Sequence, residues 1–176
     1  MARKSTKIKN MTNQAGHEPA KEELLSKLMK YCAYRDRCKS EVRTKLDSFH
    51  VTEEVKEAVF ATLIEEGFVD EERFARMFTR SKFNQNSWGR IKIKQALREK
   101  QVDEQLINTA MKEIDTDDYL AVLHRLLQQK IATFQDQPTL EQKHKLAQFA
   151  IRKGYEPQFV YEELERVEKN DDDAAK

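Results

Sequence analysis

The stretch VTEEVKEAVFATL, residues 51–63, carries apolar side chains at Val51, Val55, Phe60 and Leu63, and the chain repeats that pattern twice without repeating its letters. A step of 51 residues lands on VDEQLINTAMKEI, with Val102, Leu106, Met111 and Ile114 in the same places. A further step of 53 lands on YEPQFVYEELERV, with Tyr155, Phe159, Leu164 and Val167. The same steps carry Val42 and Leu46 onto Ile93 and Leu97, then onto Leu146 and Ala150. Apolar positions recurring about once per helical turn give each helix one face to press onto a neighbour. Two consecutive helices therefore recur as one unit, and a period near 50 residues reads as an array of similar modules, each stabilised partly by the next.

Composition agrees with helices. Charged residues make up 36% and apolar ones 39% of the 176 residues, with only four Gly and three Pro, which favours polar-faced helices over a sheet-rich core. The expected fold is all-α, an elongated curved array of three tandem three-helix modules covering residues 21–67, 68–115 and 116–169. Residues 1–20 form a basic stretch with no apolar face and read as a flexible arm; residues 170–176, with Asp171, Asp172 and Asp173, read as a flexible acidic tail.

A formal net charge of +1 hides segregation along the chain. Residues 27–45 hold seven Lys/Arg against two acids, 76–100 hold eight against one, and 121–154 hold six against two. Between them, 46–75 hold two against nine acids, 101–120 one against six, and 155–176 three against eight. Charge thus has the same threefold period as the apolar pattern, and local fields rather than the total decide what is attracted.

Within the first module, residues 23–35 read as a helix with Leu24, Leu28, Tyr31 and Cys32 inward, leaving Tyr34 free for contact. A second helix runs over 39–48, and Thr52 is placed to cap a third that Gly67 ends. In the second module, helices are expected over 70–83, with Phe74, Ala75 and Phe78 inward, over 90–100, and after a cap at Asp103, with residues 84–88 as a polar loop. In the third, they are expected over 117–134, over 143–152, and from Pro157. His50, Gln101 and Gly154 share one register position, where a left-handed turn residue is expected. The tight turn between the second and third helices is the helix-turn-helix plan, which serves DNA-binding and protein-binding units alike.

The motifs Arg37-Cys38-Lys39-Ser40-Glu41-Val42 ahead of Leu46, Gly67-Phe68-Val69-Asp70-Glu71-Glu72-Arg73-Phe74-Ala75, and Gly89-Arg90-Ile91-Lys92-Ile93 ahead of Leu97 resemble the RecX family of bacterial recombination regulators. The resemblance runs from about Leu24 to Val167. It implies a nine-helix curved protein that binds the RecA recombinase filament on single-stranded DNA and restrains its ATP hydrolysis, strand exchange and co-protease functions. The family usually has Ser where this chain has Cys38, so Ser40 is expected to cap the second helix instead, and Gly where His50 and Gln101 stand.

Arg90, Lys94 and Arg98 fall at successive helical turns, in one row beside Ile93 and Leu97. Lys39, Arg43 and Lys143 partly repeat them, and Arg76, Arg80 and Lys82 lie on the preceding helix; Arg35 and Arg37 complete the basic set. Such a face suits phosphates or an acidic protein surface. The plainer reading is a solvated face paired with the acidic third helices, although surface pairs stabilise by only about 0–1 kcal/mol each. Trp88 beside Gly89 is either a stacking anchor or the lid of a small core.

Cys32, Cys38, His17, His50, His124 and His144 do not have metal-ligand spacing, and no nucleophile, base and orienting group can be named. No metal, cofactor or catalytic residue is expected. Two cysteines and the lack of a membrane span place the chain, as an expectation, in the reducing cytoplasm. A monomer is expected, reaching single-stranded DNA through the filament or weakly by itself. The alternative is a helix-turn-helix protein that binds DNA directly, against which Glu53, Glu54, Glu57, Asp103 and Glu104 on the third helices would be repelled by phosphate.

Overall fold

The computed structural model describes residues 21–134 and 138–174 of the protein. Among these residues the chain forms nine α-helices and no strand. They are α1 (Lys21–Tyr34), α2 (Lys39–Asp47), α3 (Glu53–Glu65), α4 (Glu71–Asn86), α5 (Arg90–Glu99), α6 (Glu104–Met111), α7 (Thr116–Ile131), α8 (Leu140–Lys153) and α9 (Pro157–Ala174). Packing repeats with the sequence: the third helix of each triplet lies against the first, α3 on α1, α6 on α4 and α9 on α7, and also against the second. The expected N-terminal arm, with His17, lies outside the described residues.

Local signals explain most boundaries. The side chains of Asp70, Asp103 and Asp115 accept from Arg73 N, Gln105 N and Asp117 N, which covers orphan donors at the starts of α4, α6 and α7. Gly67 (φ 70°) follows α3, and Gln101 (φ 61°) and Gly154 (φ 95°) make the left-handed turns expected after α5 and α8.

Five local expectations are corrected. His50 is not left-handed; α2 ends at Asp47, and Ser48 N donating to Lys45 O at 3.2 Å and Phe49 N donating to Leu46 O at 3.0 Å close the turn before His50 is reached. Ser40 does not cap α2: Cys38 is the N-cap residue and makes no side-chain bond to the backbone of the helix, and the Ser40 hydroxyl, 3.2 Å from Cys38 Sγ, donates to Lys100 O at 2.7 Å. The loop expected over 84–88 shrinks because α4 runs to Asn86. It stops at Ser87 (φ 50°), with Ser87 N donating to Phe83 O at 3.0 Å and Trp88 N to Lys82 O at 3.1 Å. Helix α8 starts at Leu140 rather than Lys143, since Thr139 and Gln142 form a capping box. Finally, α9 continues to Ala174, into the expected tail, because no Gly or Pro follows Pro157 to stop it.

The core has two parts. The first gathers Leu24, Leu28, Cys32, Val42, Leu46, Val59, Phe60, Leu63 and Val69. The second is continuous from α4 to α9 and includes Phe74, Phe83, Ile93, Leu97, Ile107, Tyr119, Leu146, Tyr155 and Val160. Cys38 is the one buried residue of the first triplet that joins it. In and around the third helices Phe60, Leu63, Val102, Ile114, Tyr155, Leu164 and Val167 of the expected line are buried, Val59, Ile107, Ala110 and Val160 are buried beside them, and Val55, Leu106, Met111 and Phe159 are half-buried.

Glu163 occupies the register position of Val59 and Ala110 and is 5% exposed. Its carboxylate lies 2.5 Å from His124 Nδ1 and 3.5 Å from Arg166 Nη1. A buried carboxylate is tolerated when such partners meet it.

Candidate functional site

The expected basic row does not stand free. Arg43 reaches Glu57 on α3 at 2.5 Å, Arg98 bonds Glu104 on α6, and Arg76 and Arg80 both hold Glu113 just beyond α6, Arg80 at 2.6 Å. These cations are therefore engaged by the acidic segments that follow them in the same triplet. Hydrogen bonds from Arg43, Arg98 and, for Glu113, from Arg80 and Arg76 hold the carboxyls of Glu57, Glu104 and Glu113 below the usual range. Lys94 is half-buried on α5 and adds to the positive field at Glu104.

Arg90 has another task. Its backbone N–H donates to the Tyr119 hydroxyl at 3.1 Å, its guanidinium lies 4.2 Å from the centre of that ring, and Nη2 donates to Ile114 O at 3.3 Å. It fastens α5 to the start of α7. Tyr119 in turn donates to Glu156 Oε2 at 2.5 Å. Burial foremost, with the Glu156 bond, pushes the Tyr119 phenol well above its ordinary value.

Arg37 and Lys39 lie at the boundary of the first two triplets. The Arg37 guanidinium sits 3.9 Å above the Tyr31 ring and 3.8 Å from Glu41, and Lys39 Nζ is 3.3 Å from Glu71. Beside them Arg35, Asp36, Glu41, Phe74, Met77, Phe78, Lys82 and Lys100 line a cleft of about 400 Å³. At the far end of the array Lys143 sits on α8 with Leu140, His144 and Tyr161, around an apolar hollow of about 670 Å³. Tyr34 is 85% exposed, as expected.

One cluster combines cations, an aromatic ring and no carboxylate. Lys82 Nζ and Lys92 Nζ lie 5.0 and 4.5 Å from the Trp88 ring. Lys153 Nζ donates to Asn86 O at 3.0 Å, at the carbonyl end of α4. None of the three lysines has an acidic partner among the described residues. Trp88 is half-buried against the second core, as the lid reading expects, and two ammonium groups lie over its ring. Lys92 and Lys153 escaped the sequence reading because they arrive from α5 and from the end of α8. The signal available was the pair of glycines beside them, Gly89 and Gly154, which mark a close backbone approach.

The same chain resembles known proteins along most of its length. Residues 70–111 match the second three-helix domain of RecX, and residues 117–162 match the third. Regulatory protein RecX of Pelodictyon phaeoclathratiforme is 30% identical over 136 residues, covering 77% of this chain and 83% of that protein. Regulatory protein RecX of Bacillus cytotoxicus is 26% identical over 144 residues, covering 82% of this chain and 53% of the relative, so the chain spans about half the length of such Bacillus relatives. Among solved structures, RecX from Lactobacillus salivarius superposes with a TM-score of 0.76 at 18% identity, covering 84% of this chain and 96% of that one. Another RecX crystal structure gives 0.73 at 23% identity, covering 83% and 71%. Two family domains in succession, placed on α4–α6 and α7–α9, and a relative matched over most of both chains lead to one conclusion: this chain belongs to the RecX family of regulatory proteins.

Proposed function

We propose that the chain binds the filament that a RecA-type recombinase forms on single-stranded DNA and restrains the filament's ATP hydrolysis, strand exchange and co-protease functions, with no catalysis of its own. The observation that carries this reading is the pair of consecutive RecX domains at residues 70–111 and 117–162, on a chain whose matched relatives are named regulatory proteins. The workplace is the cytoplasm, in line with the lack, among the described residues, of any helix long and apolar enough to cross a membrane.

Modules that repeat along a chain gain from multivalency, because each further contact forms at high effective concentration. Modest contacts from Arg35, Lys82 and Trp88, with Lys92 and Lys153 added, then suffice, and Lys143 stays in the proposed set for its place beside the apolar hollow at the end of the array. The remaining cations of the expected set, Arg37, Lys39, Arg43, Arg76, Arg80, Arg90, Lys94 and Arg98, are proposed to serve mainly the protein's own packing. Engaged side chains give a direct helix-turn-helix grip on DNA less support than contact with a filament.

The test is ATP hydrolysis by a bacterial recombinase preassembled on single-stranded DNA, with this protein titrated in at fixed salt. The rate should fall at protein levels below the recombinase. The double variant Lys82→Glu, Lys92→Glu should lose that effect while keeping its helical circular dichroism, whereas Arg98→Ala should retain it. An unchanged rate, together with binding to bare duplex, would transfer the reading to a direct DNA binder.

A further inference from the structure

The joints between consecutive triplets are built in different ways. Where the second triplet meets the third, backbone meets backbone: Gly89 N donates to Lys153 O at 2.8 Å and Ile91 N to Gly154 O at 3.0 Å. The approach is so close that a Cβ on Gly89 would lie 2.1 Å from Gly154 O, and one on Gly154 would lie 2.3 Å from Lys92 Cβ. An aromatic chain crosses the same joint, with ring centres of Phe83 and Tyr119 6.0 Å apart and those of Tyr119 and Tyr155 4.9 Å apart.

The register-equivalent joint between the first and second triplets has Cys38 in place of Gly89 and Gln101 in place of Gly154. No backbone–backbone bond joins the two triplets there among the described residues. What holds it is side-chain chemistry. Ser40 Oγ donates to Lys100 O at 2.7 Å, Lys100 Nζ meets Glu41 at 2.6 Å, Lys39 Nζ meets Glu71 at 3.3 Å, and Arg73 Nε meets Asp36 at 2.8 Å.

Three of those four ties are ion pairs. The cleft of about 400 Å³ opens beside them, and Glu41 Oε2, buried at its edge, has no hydrogen-bond partner. The two cores stay separate apart from Cys38, and the connection between them passes Gly67, around which a Cβ would meet nothing within 4 Å. Ion pairs whose cations keep 30–46% of their surface in water, as Lys100, Arg73 and Lys39 do here, are weakened by salt even where a carboxylate such as Glu71 is buried, whereas backbone bonds beside packed aromatic rings are not.

We infer that α4–α9 is one rigid block and that α1–α3 is a separately packed unit that pivots on it between Val69 and Phe74, opening and closing the cleft, with the ion pairs around Lys39, Glu41, Glu71 and Arg73 as the latch. The device is independent of what the array binds. It predicts that the orientation of the first triplet varies with ionic strength while the angle between the second and third does not.

Residual dipolar couplings of backbone amides in the 176-residue chain read this directly. They are compared at about 0.05 M salt and at about 1 M, where the screening length shrinks to roughly 3 Å. The expected result is a single alignment tensor for residues 71–167 at both salts, and a separate, weaker one for residues 21–67 at high salt. The variant Ser40→Ala, Glu71→Gln should produce that separation at low salt. Gly154→Ala should instead divide the α4–α9 block; if that variant does not fold, the salt series on the unaltered protein still decides. One common tensor for residues 21–167 at high salt and in the latch variant would overturn the inference, as would a split between α4–α6 and α7–α9 in the unaltered protein.

Discussion

Replacing Gly89 with Ala tests the tight joint with one methyl group. Gly89 has φ −75°, a conformation any residue adopts, so the backbone itself raises no objection to a side chain. The obstacle is tertiary: the new Cβ would lie 2.1 Å from Gly154 O and 2.3 Å from Tyr155 N. Both are backbone atoms, so no side-chain rotation relieves the clash and the joint must open. Opening weakens two backbone bonds, about 0.5–1.5 kcal/mol net each, and strains the packing by about 1–3 kcal/mol. Against this, Ala restricts the unfolded chain and returns about 0.4–1 kcal/mol. The balance is a destabilisation of about 1–6 kcal/mol. At about 2–4 °C per kcal/mol for a chain of this size, the melting midpoint of the α4–α9 block should fall on the order of 10 °C. Urea unfolding followed by circular dichroism measures the loss, and amide exchange at Ile91 locates it. For comparison, Gly67→Ala meets no atom and should leave the Ile91 exchange alone, although its φ of 70° makes it costly at its own turn. A Gly89→Ala protein with unchanged midpoint and unchanged Ile91 exchange would refute the reasoning.

Alkaline pH should unfold the block through its buried phenols. Burial pushes Tyr119 and Tyr155 above their ordinary value, whereas unfolded phenols ionise near pH ~10, so their stabilising contribution is complete below that pH and is lost as the pH rises above it. Phenolate absorbance from two of the five tyrosines should then appear only as circular dichroism is lost; five phenolates in a still-helical protein would contradict this. Thr139→Ala removes the hydroxyl that accepts from Gln142 N at 3.3 Å and should cost roughly 1 kcal/mol. Faster exchange at Gln142 and Lys143 would be the sign, and unaltered exchange there would count against the cap.

Much of the fold was legible because helices are local objects. Asp103 announces α6 through a side chain that needs only the backbone two residues ahead, and Gly67 and Gly154 mark turns through their own dihedral freedom. Where reading failed, a distant group had intervened. Ser40 is well placed to cap α2 until Lys100 O, 60 residues away, offers its hydroxyl another acceptor. Glu163 looked like one more acid on an acidic helix, but it lies in the core because His124 on α7 and Arg166 meet its carboxylate.

The candidate site was legible only in part, for the same reason. Lys82 and Trp88 stand six residues apart, and their partnership follows from one helix end and its turn. Lys92 and Lys153 join them only when α5 and α8 meet. Conversely, Arg98 and Arg43 formed a plausible binding row on paper, and packing gave each of them a carboxylate.

By itself, the sequence determined three helix triplets in tandem, their apolar faces and most of their caps, since periodicity and capping act within a few residues. Only the tertiary structure decided which cations remain without an acidic partner, which joint is made of backbone and which of side chains, and where the two cores part. Those outcomes depend on approach distances between segments some 50 to 65 residues apart, such as Gly89 to Lys153 and Ser40 to Lys100. A long flexible side chain finds its partner only after the helices have chosen their neighbours.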